Sequence, residues 1–401
     1  MKECMADKKS GAGWKEKLNF VQREDRLGRY LKPLLKSFVF GEFSDEFLDR
    51  SPLPADLQKT MKGVPIPLRQ GDLALFAGRK GLGPDVICEN MIWVMGCDPT
   101  FIHVPAYQAY LGAMFDCNLT DAMVEVAQKD LEKEEYEKAC LHVRAALVME
   151  PESLSAMYAY AMVTRAMYQS QAGQDSEYVG RCKAESMEYF ELLTYAHPDF
   201  AQSYYFLGYA YLNMGLYQKA GLAWADFMQK SGGTATQTDL PKGESESGQE
   251  PAPPEQSTNR QESDAADAVQ GAVGLLEEER KEIAQRLVEL RDPIIIEEGV
   301  AHAAAGRFDS AILILEPYVR GRFEKWWPLH YYLGISYKET GNLPEAILAF
   351  KRVLKTNASH LESMEALAAL YAQIGDEQMA EKYEHKLQIV KEALSQEGVL
   401  H

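Results

Sequence analysis

The chain has 401 residues, 46% of them hydrophobic, with 42 Lys and Arg against 60 Asp and Glu and a formal net charge of -18. That length accommodates two or three domains of ordinary globular composition, and that charge disfavours sequence-independent binding to nucleic acid or an anionic membrane. No run of 18 apolar residues occurs, so no membrane span is expected. The opening MKECMADKKSGAGWKEK has basic residues without an apolar core behind them, which is not the form of a secretory signal. Cys4, Cys88, Cys97, Cys117, Cys140 and Cys182 are scattered without a CxxC pair. Buried, reduced thiols in a cytoplasmic protein are the simplest account, and neither a metal nor a cofactor is expected.

Residues 1–119 match no repeat and no recognised family, and read as a small helical domain. Leu27, Leu31, Leu34, Leu35 and Phe38 fall at helical intervals, with Pro33 bending or shortening that helix. Ser44 is placed to cap a short helix over 45–49. The prolines and glycines of 61–83 make an irregular connection. Residues 85–95, with Val86, Ile87, Met91, Ile92 and Trp93, form a strongly apolar helix, 101–104 a short extended piece, and 107–115 a further helix. The first forty residues carry ten Lys or Arg against five acids, which gives either a solvated tail with one polar helix face or a small basic arm.

Two local patterns there invite chemistry. Residues 78–83 are glycine-rich with Arg79 and Lys80 but lack GxxxxGK[ST] spacing, so a flexible turn accounts for them. Cys97-Asp98 near His103 suggests a nucleophile with a base, yet no orienting third group can be named, and a core cysteine beside a loop histidine is the plainer reading.

Beyond residue 119 a spacing recurs. Leu207-Gly208, Tyr211, Gly215, Tyr217, Ala220, Trp224 and Phe227 return as Leu333-Gly334, Tyr337, Gly341, Ala346, Phe350 and Val353. Ala311, Ala346 and Ala380 follow one another at intervals of 35 and 34 residues, so three units run in tandem from about 292 to 394. Tyr136, Ala139, Val143, Ala146 and Pro151 read as the second half of a unit beginning near Thr120, whose first helix lacks the Leu-Gly pair. Residues 154–168 and 181–196 form another unit with an enlarged turn. This pattern resembles the tetratricopeptide repeat (TPR) family. The resemblance implies an all-α helix-turn-helix solenoid of about five to six units, each burying its apolar face on its neighbour.

Between the repeats the composition changes abruptly. Residues 231–274 are Ser, Gly, Thr, Gln, Pro and acids, too poor in apolar groups to offset ordering entropy, and are read as a disordered linker. Helical spacing resumes at Leu275, and 276–290 is read as either the end of a separate block or a partner helix packed between the repeats. The domain scheme is thus 1–119, a first repeat block 120–230, the linker 231–274, and a second block 275–401 whose last helix has the polar outer surface of a cap.

The resemblance implies that the first helix of each hairpin lines a concave groove. There the candidate peptide-binding residues are Gln202, Tyr205, Tyr209, Leu212 and Asn213, with Tyr331, Ile335 and Lys338 in the later unit. Tyrosine offers contact area at low entropic cost and a hydroxyl for a peptide backbone; the alternative is that these rings pack on the neighbouring repeat. The Lys, Arg and Asn set with which family members clamp chaperone C-termini has no counterpart among Tyr205, Tyr209, Tyr331, Ile335 and Glu365, so co-chaperone function is disfavoured. The functional expectation is a non-catalytic adaptor that binds a protein or peptide, with a homodimer left open. The alternatives are a peptide-sensing signalling or transcription regulator with residues 1–119 as effector, and an enzyme housed in 61–120.

Overall fold

The computed structural model describes residues 13–20, 22–76, 82–115, 118–171, 177–233 and 261–397, without side chains for 261–276 and 394–397. Two compact units result, Met1–Ala210 and Tyr211–His401. The expected boundary at 119 falls inside the first of them.

The first unit opens with short elements: α1 (Gly13–Leu18), α2 (Gly28–Leu31) and a 3-10 turn over Lys32–Ser37 that begins where Pro33 ends the α-helix. The chain then extends into β1 (Phe38–Gly41), which pairs antiparallel with β2 (Ile66–Arg69), Phe38 opposite Arg69 and Gly41 opposite Ile66. This hairpin is absent from the all-helical expectation for the region. Between the strands lie α3 (Asp45–Arg50), whose Ser44 cap accepts from Phe47 N as expected, and α4 (Ala55–Met61). After α5 (Leu73–Phe76), α6 (Pro84–Cys97) is apolar nearly all round because both sides are covered, β2 on one and a repeat helix on the other. The buried Asn90 of α6 donates to Pro67 O at 3.1 Å and Asp72 Oδ2 at 2.9 Å, tying helix to strand. Residues 101–104, expected to be extended, instead form the turn into α7 (Val104–Met114), with Val104 N donating to Phe101 O.

The repeats follow as hairpins: α8 (Leu119–Glu132) with α9 (Tyr136–Met149), then α10 (Leu154–Ser170) with α11 (Glu177–Ala196). α6 lies on α9 so closely that a Cβ on Gly96 would stand 2.3 Å from Leu141 O. The N-terminal region is therefore a packed layer of the first repeat block.

α12 (Ala201–Asn213) carries the boundary between the units. In the second unit α13 (Tyr217–Gly233) lies against α14 (Gln261–Ala304). Glu297 Oε2 accepts from Gln218 N at the start of α13, and Arg280 Nη1 donates to Met228 O at its end, so one helix supplies an acid and a base to the two ends of its antiparallel neighbour. Ile283 and Leu290 are buried. Of the two readings of 276–290, this is the partner helix, and it continues through Pro293 into the first helix of the next repeat. Of the proposed linker, 231–233 end α13, 261–274 open α14, and 234–260 lie outside the described residues. The hairpins then continue as α14 with α15 (Phe308–Leu315), α16 (Trp327–Glu339) with α17 (Leu343–Thr356), and α18 (Leu361–Gln373) with α19 (Glu377–Glu397). Ile296, Leu315, Leu333, Ala346, Phe350 and Leu367 form their core.

Five hairpin turns close identically. A left-handed residue ends the first helix, Glu134, Gly215, Gly306, Gly341 and Gly375 in turn, with φ between 61° and 81°. The next residue donates back five positions: Glu135 N to Asp130 O, Leu216 N to Tyr211 O, Arg307 N to His302 O, Asn342 N to Tyr337 O and Asp376 N to Tyr371 O, at 2.8 to 3.0 Å. This is the Schellman closure. The last three recur at intervals of 35 and 34 residues, and with the stacked hairpins they make the fold a helical-hairpin repeat of the tetratricopeptide type.

Candidate functional site

The expected groove residues fall into two sets. Gln202, Tyr205 and Tyr209 belong to the first unit; Leu212, Asn213, Tyr331, Ile335 and Lys338 belong to the second. On α12 the rings of Tyr205 and Tyr209 meet at 5.2 Å and 67°, and Tyr205 meets Phe206 at 5.0 Å; all three are half-buried, while Leu212 is half-buried and Asn213 exposed. On α16, Tyr331 lies 4.7 Å from the ring of His360 and 6.1 Å from Phe350. Tyr331 packs on the next repeat while remaining half-buried. Burial and the charge of Glu362 push the Tyr331 hydroxyl up, keeping it a neutral donor. Ile335 packs on the core, and Lys338 is exposed beside Glu339 at 3.4 Å. Sequence reasoning missed Trp327, half-buried and 4.6 Å from His360, although the Trp326-Trp327-Pro328 run at a helix start was a visible signal.

The basic N-terminal stretch is used internally. Arg23, with 4% of its side chain exposed, donates to both oxygens of Glu185 at 2.6 and 2.7 Å; Arg26 pairs with Glu188; Arg29 reaches Glu177 at 2.7 Å; and Lys32 reaches Asp98 at 2.9 Å. Fully buried Arg144 of α9 grips Asp25 through two bonds of 2.9 and 2.6 Å and donates to Gly96 O at 2.7 Å. Burial opposes ionisation of Asp25, but the hydrogen bond and charge of Arg144 outweigh it and hold that carboxyl below its ordinary value. Tyr160 OH donates to Glu185 Oε2 at 3.1 Å and completes the chain of contacts. Residues 23–29, read from the sequence as part of either a solvated tail with one polar helix face or a small basic arm, are instead bonded to α9 and α11.

His142 of α9 bridges two carboxylates, Asp130 of α8 at 2.9 Å and Glu89 of α6 at 3.4 Å, with Trp93 Nε1 donating to the same Glu89 oxygen at 2.8 Å. Burial lowers the affinity of the ring for a proton, but Glu89 and Asp130 together raise it above the ordinary histidine value. A cleft of about 550 Å³ opens between α1, α7 and the end of α9, with Phe20, Phe101, Ile102 and Val148 on its walls and the Lys15–Glu152 ion pair at 2.8 Å among its lining residues.

Cys97 is fully buried, its thiol pushed up to about 12 by desolvation, and His103 lies against the Phe101 ring at 5.3 Å. Of the glycine-rich stretch, 77–81 lie outside the described residues, and Gly83 precedes the first turn of α6. Among the described residues no group of three or more His, Cys, Asp or Glu side chains is placed to hold a metal ion, and no helix is long and apolar enough to cross a membrane.

No protein-family model and no curated protein matches the chain. Solved structures do. The TPR domain of P58(IPK) is 16% identical, covering 67% of this chain and 60% of that one at a TM-score of 0.32. MamA 41-end from Desulfovibrio magneticus RS-1 is 14% identical over 58% of this chain and 96% of that one, with a TM-score of 0.27. In the APC/C Cut9-Hcn1 structure the match is 12% identical over 92% of this chain and 61% of that one, with a TM-score of 0.30. These similarities carry nothing about partner or pathway.

Proposed function

We propose that the protein is a non-catalytic interaction scaffold that binds a polypeptide through the first-helix face of its repeats, with Gln202, Tyr205, Tyr209, Leu212 and Asn213 on α12 and Tyr331, Ile335 and Lys338 on α16 as contacts. The observation that carries this reading is the set of half-buried aromatic rings on first helices, Tyr205 and Tyr209 on α12, Trp327 and Tyr331 on α16. Each is fixed by packing on one edge and open on another, the condition under which an aromatic side chain gives contact area at little ordering cost. A reducing, cytoplasmic setting suits the free buried thiols Cys88, Cys97, Cys140 and Cys182. The N-terminal region serves this reading as a structural layer; its Arg23, Arg26 and Arg29 are paired with acids of the same chain, which weighs against a DNA-binding effector.

The test is affinity capture from native extract with the full chain, comparing wild type with Tyr205→Ala/Tyr209→Ala and with Tyr331→Ala. Loss of one stoichiometric protein in a tyrosine variant that keeps its melting temperature supports the groove; a partner retained by both variants refutes it.

A further inference from the structure

We infer that the first-helix face of the second unit receives a Lys or Arg side chain of its polypeptide partner, held at the corner formed by Trp327, Tyr331 and His360. This rests on the groove reading above and adds the chemistry of the partner. Trp327 and Tyr331 each face the His360 ring, at 4.6 and 4.7 Å, and stand 6.5 Å from each other, giving two electron-rich surfaces around one point. The His360 Nδ1 caps α18 by accepting from Ser363 N at 3.2 Å. Glu362 Oε2 lies 3.4 Å from that same nitrogen, and this carboxylate is 64% exposed with no Lys or Arg paired to it among the described residues. Glu365 stands exposed one turn further along α18. The groove's own cation, Lys338, is beside Glu339. Aromatic rings beside exposed carboxylates that no Lys or Arg pairs with among the described residues are complementary to a guanidinium or ammonium group.

The test uses the full chain and two short fluorescent Gly/Ser peptides, one carrying spaced Arg and the other Glu at the same places, titrated at near-physiological salt. The Arg peptide binds, and its affinity falls about tenfold with Glu362→Gln/Glu365→Gln and with Trp327→Leu, the scale of a cation–π contact combined with an ion pair. The charge-matched Glu381→Gln/Glu384→Gln on the exposed side of α19 leaves it unchanged. An equal fall at both acidic pairs, a Glu peptide that binds as well, or no binding by the Arg peptide overturns the inference. If Trp327→Leu unfolds, the surface pair Glu362 and Glu365 decides alone. Failure here alongside capture that depends on Tyr331 would leave the groove in place and remove only the basic partner.

Discussion

Substituting alanine for Gly334 isolates the packing that defines a repeat. A Cβ at this position would stand 2.8 to 2.9 Å from three ring carbons of Phe350, which is 1% exposed and held on all sides. Ordinary carbon contacts are about 3.5 to 4.0 Å, so the overlap approaches 1 Å, and overpacking of that kind costs roughly 1 to 3 kcal/mol. Replacing a mid-helix glycine returns about 1 kcal/mol of helix propensity. The net loss is about 0 to 2 kcal/mol, a fall in melting temperature of up to roughly 8 °C for a unit of this size. Gly180, the fourth residue of α11 with nothing within 4 Å of its Cβ position, is the control: Gly180→Ala raises the melting temperature by up to about 4 °C. Thermal unfolding followed by circular dichroism reads both. Phe350→Leu shortens the opposing ring, so in the double variant the cost of Gly334→Ala shrinks by about 1 kcal/mol. A rise at Gly334 equal to that at Gly180, or strict additivity with Phe350→Leu, would refute the hairpin register.

Four further outcomes follow from the geometry. Arg144→Met strands Asp25 and opens the contact to Gly96, costing about 3 to 5 kcal/mol in denaturant unfolding, while adding Asp25→Asn recovers part of it. The proton affinity of His142 is raised in the folded state, so its contribution is complete below its ordinary value of 6.5 and is lost as pH rises through the higher folded value; a falling melting temperature above that point that flattens in His142→Gln checks it, and equal slopes contradict it. Glu134 occupies with φ 61° the left-handed position that glycine fills in four other turns, so Glu134→Gly stabilises by about 1 kcal/mol, and a loss on equilibrium unfolding would contradict the turn assignment. The thiols of Cys88 and Cys97 are pushed up to about 12 by burial and Cys182 to about 11; site-resolved mass spectrometry after iodoacetamide treatment finds them unmodified in the native chain and modified after unfolding, and native alkylation would undo their assignment to the core.

The repeats were legible because their signal is local. Leu333, Gly334, Ala346 and Phe350 meet within a single hairpin, so spacing in the chain reports contact in space. The N-terminal layer was not, because its contacts are remote: Arg23 meets Glu185 and Asp25 meets Arg144, and a basic run looks the same whether its partners are solvent or acids more than a hundred residues away. The β1–β2 hairpin hid for a related reason. Pro65 and Pro67 flank and interrupt β2, and its partner strand lies some 25 residues upstream, beyond any short turn signal. Pro293 does not end α14, whose contacts to α13 through Arg280 and Glu297 lie on both sides of it. In the groove, Tyr331 was readable from its repeat position, but Trp327 and His360 join it only because the turn from α17 places the α18 cap beside α16.

The central claim is that a polypeptide binds the first-helix face, and hydrogen–deuterium exchange of the full chain with and without its captured partner tests it most directly. The account predicts that the partner slows exchange in α12, α16 and the first turns of α18, and leaves 38–115 unchanged. Protection confined to 38–115, with α12, α16 and α18 exchanging as in the free chain, would contradict it.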